Sequence, residues 1–329
     1  MSGASIPYHL RQNKAIDRYA FIELLSIIDR YCSIDKYTYI GFGGHSLEDF
    51  KYIHSRFAIT SMTSIEQDEE VHKRQKFNQP YNCINYLLKS SDDFIDEFQA
   101  DQETIIWLDY TSPSQIVSQL EEIQSIVRKL APLDIVKVTL NAHASAYHEA
   151  PKGPSITNEI IQQGRFEKIK NMLGELFPIA DITLDMMTEK RFTEALCLIL
   201  KFAIESSLHG SSHIFQPLTL FSYADGHKML TVTGIVLEND KVEAFLEKTN
   251  IKAWNLSNIN WGKPQSINVP DLTIRERLYI DALLPHTETE EIQNKLGFLF
   301  HEKEDISLEM LKTYVLFYRQ SPYFSRIIM

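Results

Sequence analysis

Short apolar, β-prone runs alternate with stretches of helical periodicity over the first two thirds of the chain. A mostly parallel sheet covered by helices on both faces produces this alternation. Five runs predict successive strands, at residues 37–40, 59–65, 83–88, 104–110 and 134–140. The run 104–110, TIIWLDY, is almost continuously apolar, which is typical of a parallel strand buried on both sides. The pattern therefore predicts an α/β fold.

The pattern changes after residue 213, where two longer β-prone runs, 214–223 and 229–237, flank Ala224-Asp225-Gly226-His227. Asp-Gly between such runs predicts a hairpin, because both residues tolerate positive φ. We therefore expect a doubly wound, mostly parallel, seven-stranded sheet that ends in an antiparallel hairpin. An apolar helix over 13–32 precedes the sheet, and helical patterns follow residue 239. The predicted regions are an N-terminal helical cap (1–35), a sheet domain (36–240) and a mainly helical C-terminal extension (241–329).

The composition is that of an ordinary globular protein, with 44% hydrophobic and 23% charged residues. The formal net charge of −11 disfavours nonspecific binding to nucleic acid, which depends on basic groups. Three widely spaced cysteines predict neither a disulfide framework nor a zinc site. The same spacing gives no reason to expect a bound metal. No apolar run approaches the ~20 residues of a membrane span, and no signal peptide is evident, so we expect a cytoplasmic protein.

The chemistry is concentrated first at the turn after the first strand, Gly41-Phe42-Gly43-Gly44. Glycine brings the backbone close to a ligand and permits positive φ. The second strand ends at Glu66, where a doubly wound sheet places an acid that binds ribose hydroxyls. A purely structural strand-to-helix turn is the alternative interpretation of the same residues.

This layout resembles the first half of the class I S-adenosylmethionine-dependent methyltransferases, and the terminal hairpin strengthens the resemblance. The resemblance implies a Rossmann-like domain, S-adenosylmethionine as cofactor, and an adenosyl group held between the glycine turn and Glu66. It also implies that the loop after the third strand approaches the adenine, which makes Ser90 and Ser91 candidates. The sequence departs from the family pattern at Tyr39, where an acid is usual, and at His45, where a third glycine is usual.

Polar residues also follow the fourth and fifth predicted strands. Asp109 ends the fourth strand, beside the point where ligands of open α/β sheets bind. Asp109 is therefore a candidate for cofactor binding and for catalysis, with capping of the next helix as its structural alternative. After the fifth strand, Asn141 and His143 could reach a substrate, and His143 could act as a base near neutral pH.

These residues favour methyl transfer from S-adenosylmethionine to an acceptor that the sequence does not identify. The acceptor could be a small molecule or a macromolecule. A non-catalytic methyltransferase-like subunit, acting as a scaffold or nucleotide sensor, is the main alternative. A protein partner or homodimer through the C-terminal helices is possible under either hypothesis. A nicotinamide-dependent dehydrogenase is less favoured, because Ser46 stands where G-x-G-x-x-G requires glycine.

Overall fold

The computed structural model describes residues 11–148 and 157–321. They fall into two compact units. Of the described residues, the smaller unit contains 11–21, Tyr223–Gly226 and 266–321, and the larger contains 22–148, 157–222 and 227–265. The boundaries expected near residues 35 and 240 stay a prediction.

One eight-stranded sheet has the order β3-β2-β1-β4-β5-β7-β6-β8. Its strands are β1 (Thr38–Gly41), β2 (Ser61–Glu66), β3 (Ile84–Leu88), β4 (Thr104–Asp109), β5 (Ile135–Asn141), β6 (His213–Asp225), β7 (His227–Glu238) and β8 (Gln265–Ile267). The first five are parallel, and β7 runs antiparallel to β5. This order confirms the predicted doubly wound sheet with a terminal hairpin. The short β8 is an addition to the seven strands expected.

Helices connect the parallel strands, as the alternating pattern predicted, and further helices precede β1 and follow β7. They are α1 (Gln12–Ile28), α2 (Glu48–Phe57), α3 (Glu69–Phe77), α4 (Ser91–Glu97), α5 (Ile116–Lys129), α6 (Ala144–Tyr147), α7 (Asn158–Leu173), α8 (Phe192–Ser207), α9 (Val242–Thr249), α10 (Ile274–Asp281), α11 (Thr289–Leu296) and α12 (Glu304–Phe317). Within the described ranges, none of them is long and apolar enough to cross a lipid bilayer.

The main core lies between the central strands and two amphipathic helices. Ile106 and Leu108 of β4 pack with Leu120 and Ile123 of α5, and Leu200 of α8 joins the same buried cluster. Alternate β4 residues point to opposite faces of the sheet, so Trp107 lies on the other face. There its indole N–H donates to Thr139 Oγ1 of β5 at 3.1 Å. Burial on both faces explains why the β4 sequence is continuously apolar.

The hairpin turn is tighter than the sequence suggested. Strand β6 ends at Asp225 and strand β7 begins at His227, so that Gly226 alone separates them. Gly226 has φ of 103°, a conformation that favours glycine. The long strands bring His227 and Lys228 to the end of β7 that pairs with the carboxyl end of β5.

Polar contacts connect the elements of the smaller unit. Thr273 and Glu276 form a capping box at the start of α10. Tyr314 of α12 donates its hydroxyl to Asp281 at 2.7 Å, and Arg277 donates to the Ser321 carbonyl at 2.9 Å. These contacts fix α10 and α12 to each other.

Candidate functional site

The predicted site residues lie at the carboxyl edge of the parallel sheet. In the strand register, Gly41 is level with Ser64 of β2 and with Trp107 of β4. Glu66 and Asp109 each stand two residues further along their own strands. All three strands therefore end at one edge, with an acid on each side of the glycine turn. Ligands of open α/β sheets bind at this edge.

The glycine turn is shaped by close packing. A Cβ added at Gly43 would lie 2.4 Å from Leu47 Cδ2 and 2.8 Å from Ser64 Oγ. Gly44 has φ of 51°, and Leu47 also takes the left-handed conformation, with φ of 53°. Gly43 is therefore required for the turn to sit tightly over β2, whatever ligand the turn binds.

Glu66 is half-buried and only partly engaged by the protein. Its Oε1 accepts the backbone N–H of Asp68 at 2.9 Å, and Asp68 in turn caps α3 by accepting from Glu70 and Val71. Within the described part of the chain, Glu66 Oε2 accepts no hydrogen bond. A carboxylate with one oxygen fixed and the other available can receive a hydroxyl from a ligand.

The structure shows the surroundings of the two positions that depart from the family pattern. Tyr39 is buried and lies edge-to-face against Phe50 of α2, with ring centroids 4.9 Å apart, so the position of the usual acid belongs to the core. The His45 carbonyl accepts a hydrogen bond from the Asn78 side chain at 2.8 Å, which ties the turn to the end of α3. Burial lowers the pKa of His45, and nearby Arg74 lowers it further. Neither residue supplies a carboxylate.

Beyond Asp109, Tyr110 connects the end of β4 to its surroundings. Its ring lies edge-to-face on Phe42 of the glycine turn, and its hydroxyl donates to Glu122 of α5 at 2.6 Å. Ser90 precedes the first residue of α4. Its hydroxyl accepts a hydrogen bond from the Asp93 N–H and donates one to the Asp93 carboxylate. Ser90 therefore acts as a helix cap, and its contact with adenine stays a prediction.

Asn141 joins the loops that follow β4 and β5. Its side chain donates to the Thr111 carbonyl at 3.1 Å and accepts the His143 N–H at 3.0 Å. Its own carbonyl accepts the hydroxyl of the buried Tyr147 at 2.5 Å. Asn141 is almost fully buried, so it is a structural brace rather than a group that faces solvent.

His143 is partly exposed and has neighbours that the sequence pattern did not indicate. Ser145 Oγ lies 2.8 Å from His143 Nε2, and Glu189 Oε2 lies 3.9 Å from His143 Nδ1. The His227 ring lies at a centroid distance of 6.2 Å. The predicted hairpin could have indicated His227, because antiparallel pairing returns the start of β7 to the end of β5. Nothing local in the sequence indicated Glu189.

The described residues contain no group of three or more His, Cys, Asp and Glu side chains that could hold a metal ion. The site is thus an edge with one acid on each side of a glycine turn, followed by an imidazole beside a further carboxylate.

Comparison with known families shows to which family this chain belongs. The model of a family described as "Putative O-methyltransferase" matches residues 6–329, nearly the whole chain. The chain belongs to this O-methyltransferase family. The assignment confirms the recognition of a class I S-adenosylmethionine-dependent methyltransferase, and with it the expected cofactor, S-adenosylmethionine. The individual site residues stay a prediction.

Solved structures of distant methyltransferases are similar in outline to this family member. The N-methyltransferase NodS from Bradyrhizobium japonicum WM9 is 10% identical with a TM-score of 0.36, over 68% of this chain and 97% of that chain. A "putative S-adenosylmethionine dependent methyltransferase" from Listeria monocytogenes is 9% identical with a TM-score of 0.39, over 67% and 100%. No curated protein matches the chain. The family model, rather than these likenesses, identifies the protein.

Proposed function

We propose that the protein transfers a methyl group from S-adenosylmethionine to a hydroxyl oxygen of its acceptor. In this proposal Gly41, Phe42, Gly43, Gly44 and Glu66 hold the adenosyl group, with Ser90 near the adenine. Asp109 faces the junction of donor and acceptor, and His143 accepts the hydroxyl proton. The observation that carries the proposal is Glu66, an acid at the carboxyl edge with Oε2 available beside a close-packed glycine turn.

The residues at the edge fit the cofactor. Ribose presents two hydroxyl donors, and an ionised carboxylate offers only acceptors, so the pair is complementary. Gly41, Gly43 and Gly44 of the turn carry no side chain, which lets the backbone come close to a ligand. When bound, the sulfonium group supplies an electrophilic methyl carbon, and the electron pair of the broken carbon–sulfur bond remains on sulfur.

The remaining work belongs to positioning and proton transfer. Alignment of the acceptor oxygen with the methyl carbon accounts for much of the acceleration of such a displacement, because it replaces a bimolecular encounter. A hydroxyl must also lose its proton as the new bond forms, and imidazole is a suitable base near neutral pH. His143 is the partly exposed imidazole that Asn141 fixes to the end of β5.

The three cysteines, Cys32, Cys83 and Cys197, are free thiols. Free thiols suit a reducing compartment, and we place the enzyme in the cytoplasm on that basis. Burial raises the pKa of Cys197 to about 12, so this thiol is an unreactive core residue.

The experiment is isothermal titration of S-adenosylmethionine, S-adenosylhomocysteine and NAD into the protein, followed by methyl-transfer assays with phenol, alcohol and amine acceptors. The proposal predicts binding of the first two ligands and transfer to oxygen. Binding of NAD alone would contradict the choice of cofactor. Transfer to nitrogen alone would contradict the acceptor class, and binding without any transfer would favour a non-catalytic subunit.

A further inference from the structure

The segment 187–190, between α7 and α8, is held by two basic side chains from other elements. Arg165 of α7 donates to the Met187 carbonyl at 2.9 Å and to Glu189 Oε1 at 2.6 Å. Lys228 of β7 donates to the carbonyls of Glu189 at 2.9 Å and Lys190 at 3.3 Å. Arg165 is 5% exposed. The buried Arg165 and the partly exposed Lys228 thus fix a short irregular segment, and Arg165 also holds the Glu189 side chain.

Glu189 directs one oxygen to each of two partners. Oε1 accepts from Arg165, and Oε2 lies 3.9 Å from His143 Nδ1. The second distance is an electrostatic contact, longer than a hydrogen bond, and catalytic contacts of this kind often shorten only when substrate is bound. The carboxylate favours the tautomer in which His143 carries its proton on Nδ1.

The opposite side of the His143 ring is then an acceptor. Ser145 Oγ lies 2.8 Å from Nε2, so its hydroxyl can donate there. A substrate hydroxyl would need the same place and the same donor role.

Burial lowers the pKa of Lys228, whose ammonium is directed to the backbone of the 189–190 segment. The other groups that face the ring are His227 and, through Glu189, Arg165.

We propose that Glu189, held by Arg165, is a positioning residue that keeps His143 protonated on Nδ1 and open on Nε2, and that an acceptor hydroxyl replaces Ser145 Oγ at Nε2. This inference rests on the proposed hydroxyl methylation. The proton of the acceptor hydroxyl moves to Nε2 as the oxygen electron pair forms the new bond to the methyl carbon, whose bond to sulfur breaks with its electron pair left on sulfur. The resulting imidazolium is stabilised by the Glu189 carboxylate and later releases the proton to solvent.

Glu189→Gln tests the proposal because it keeps an acceptor for Arg165 but replaces the acceptor that faces His143 Nδ1 by a donor. The amide oxygen of glutamine can still accept from Arg165, so its NH₂ group takes the place of Oε2 and donates toward His143 Nδ1. The imidazole proton then lies on Nε2, and a protonated Nε2 cannot accept the proton of the substrate hydroxyl. Glu189→Asp keeps the carboxylate, and Asp185→Asn is a matched control, because Asp185 is paired with Arg191 rather than with His143.

The experiment measures the tautomer of His143 by ¹⁵N NMR of the full chain, with the signal assigned by its loss in His143→Gln, together with the kinetics of methyl transfer. We expect Nδ1–H in the wild type, Glu189→Asp and Asp185→Asn, and Nε2–H in Glu189→Gln. We also expect kcat to fall at least about tenfold in Glu189→Gln, with S-adenosylmethionine affinity unchanged, as loss of a correctly oriented base requires.

An unchanged tautomer in a folded Glu189→Gln protein would overturn the proposal, as would an unchanged kcat. The NMR measurement needs no substrate. If the wild type transfers no methyl group to oxygen, the proposed function fails while the tautomer still decides whether Glu189 positions His143.

Discussion

Phe42 lies edge-to-face against Tyr110, with ring centroids 5.5 Å apart and planes at 69°. Phe42 belongs to the glycine turn after β1, and Tyr110 is the residue after Asp109 at the end of β4. The Tyr110 backbone N–H also donates to the Thr139 carbonyl at 3.0 Å, which continues the β4–β5 ladder. The aromatic pair therefore connects the expected cofactor side of the edge to the expected acceptor side.

The hydrogen bond between Tyr110 and Glu122 predicts unequal effects of two substitutions. Burial raises the pKa of Tyr110 well above its ordinary value, so its hydroxyl remains a donor to the Glu122 carboxylate. Tyr110→Phe leaves that buried carboxylate without its donor and should lower the free energy of unfolding by about 2 kcal/mol. Glu122→Gln keeps an acceptor and should lower it by less. Urea unfolding of both variants checks the order, and an equal or reversed order would contradict this role.

The close packing around Gly43 predicts that a methyl group added at this position destabilises the protein. In Gly43→Ala the added methyl group meets Leu47 and Ser64 at distances that require the turn to shift. We expect a loss of about 1–3 kcal/mol in unfolding free energy, as for other overpacked sites. Leu47→Ala in the same chain should relieve part of the clash, giving a favourable coupling of at least about 0.5 kcal/mol in a double-mutant cycle. A Gly43→Ala protein as stable as the wild type would show that the turn is loosely packed.

The buried hydrogen bonds of Asn141 predict that its replacement lowers the stability of the protein. Asn141→Asp replaces the amide donor by a carboxylate oxygen that faces the Thr111 carbonyl. We expect about 1–3 kcal/mol of destabilisation, since a buried hydrogen bond is lost and a charge is buried. Asn85→Asp, at an exposed position of β3, makes the same chemical change as a control. Thermal unfolding compares the two, and equal effects would mean that Asn141 does not brace the two loops.

Asp134 predicts a specific dependence of stability on pH. Burial raises its pKa to about 6 from 3.8, although the N–H groups of Thr104 and Ala131 oppose this shift. The folded protein then binds the proton more tightly than the unfolded chain between about pH 4 and pH 6. The contribution of this group to stability is therefore greatest at low pH and falls as pH rises, by on the order of 3 kcal/mol.

The measurement is urea unfolding of the wild type and Asp134→Asn at about pH 4 and about pH 7. The wild type should gain stability relative to the variant at the lower pH. A difference between the two proteins that does not change with pH would contradict the raised pKa. Asp134 lies at the amino ends of β4 and β5, so cofactor affinity is not expected to follow this titration.

Local patterns predicted much of the fold because each strand carries its own signal. The apolar run of β4, the glycines after β1 and Asp225-Gly226 in the hairpin are visible without tertiary information. The strand β8 is only three residues long within an irregular segment, which is too short for a period to show. Lys137 is buried in β5, with its ammonium 4.7 Å from the centre of the Trp107 ring, an arrangement that a charged residue in the sequence does not reveal.

The sequence indicated the residues of the candidate site that stand at strand ends, but not those brought together by packing. Gly43, Glu66 and Asp109 are marked by their places at strand ends, which topology alone brings together. Glu189 lies near His143 only because Arg165 and Lys228 hold the segment before α8. Contacts between elements distant in sequence are set by packing, and a pattern of single residues does not encode them.

The central claim is that Glu66 binds the ribose of S-adenosylmethionine, and calorimetric titration of the cofactor into wild type, Glu66→Ala and Glu70→Gln tests it most directly. Glu70 is an exposed acid of α3 paired with Lys73, so it controls for loss of charge. The account predicts that Glu66→Ala weakens binding at least about tenfold, as expected for loss of a charged hydrogen-bond partner, while Glu70→Gln binds like the wild type. Equal affinities for the wild type and a folded Glu66→Ala protein would contradict it.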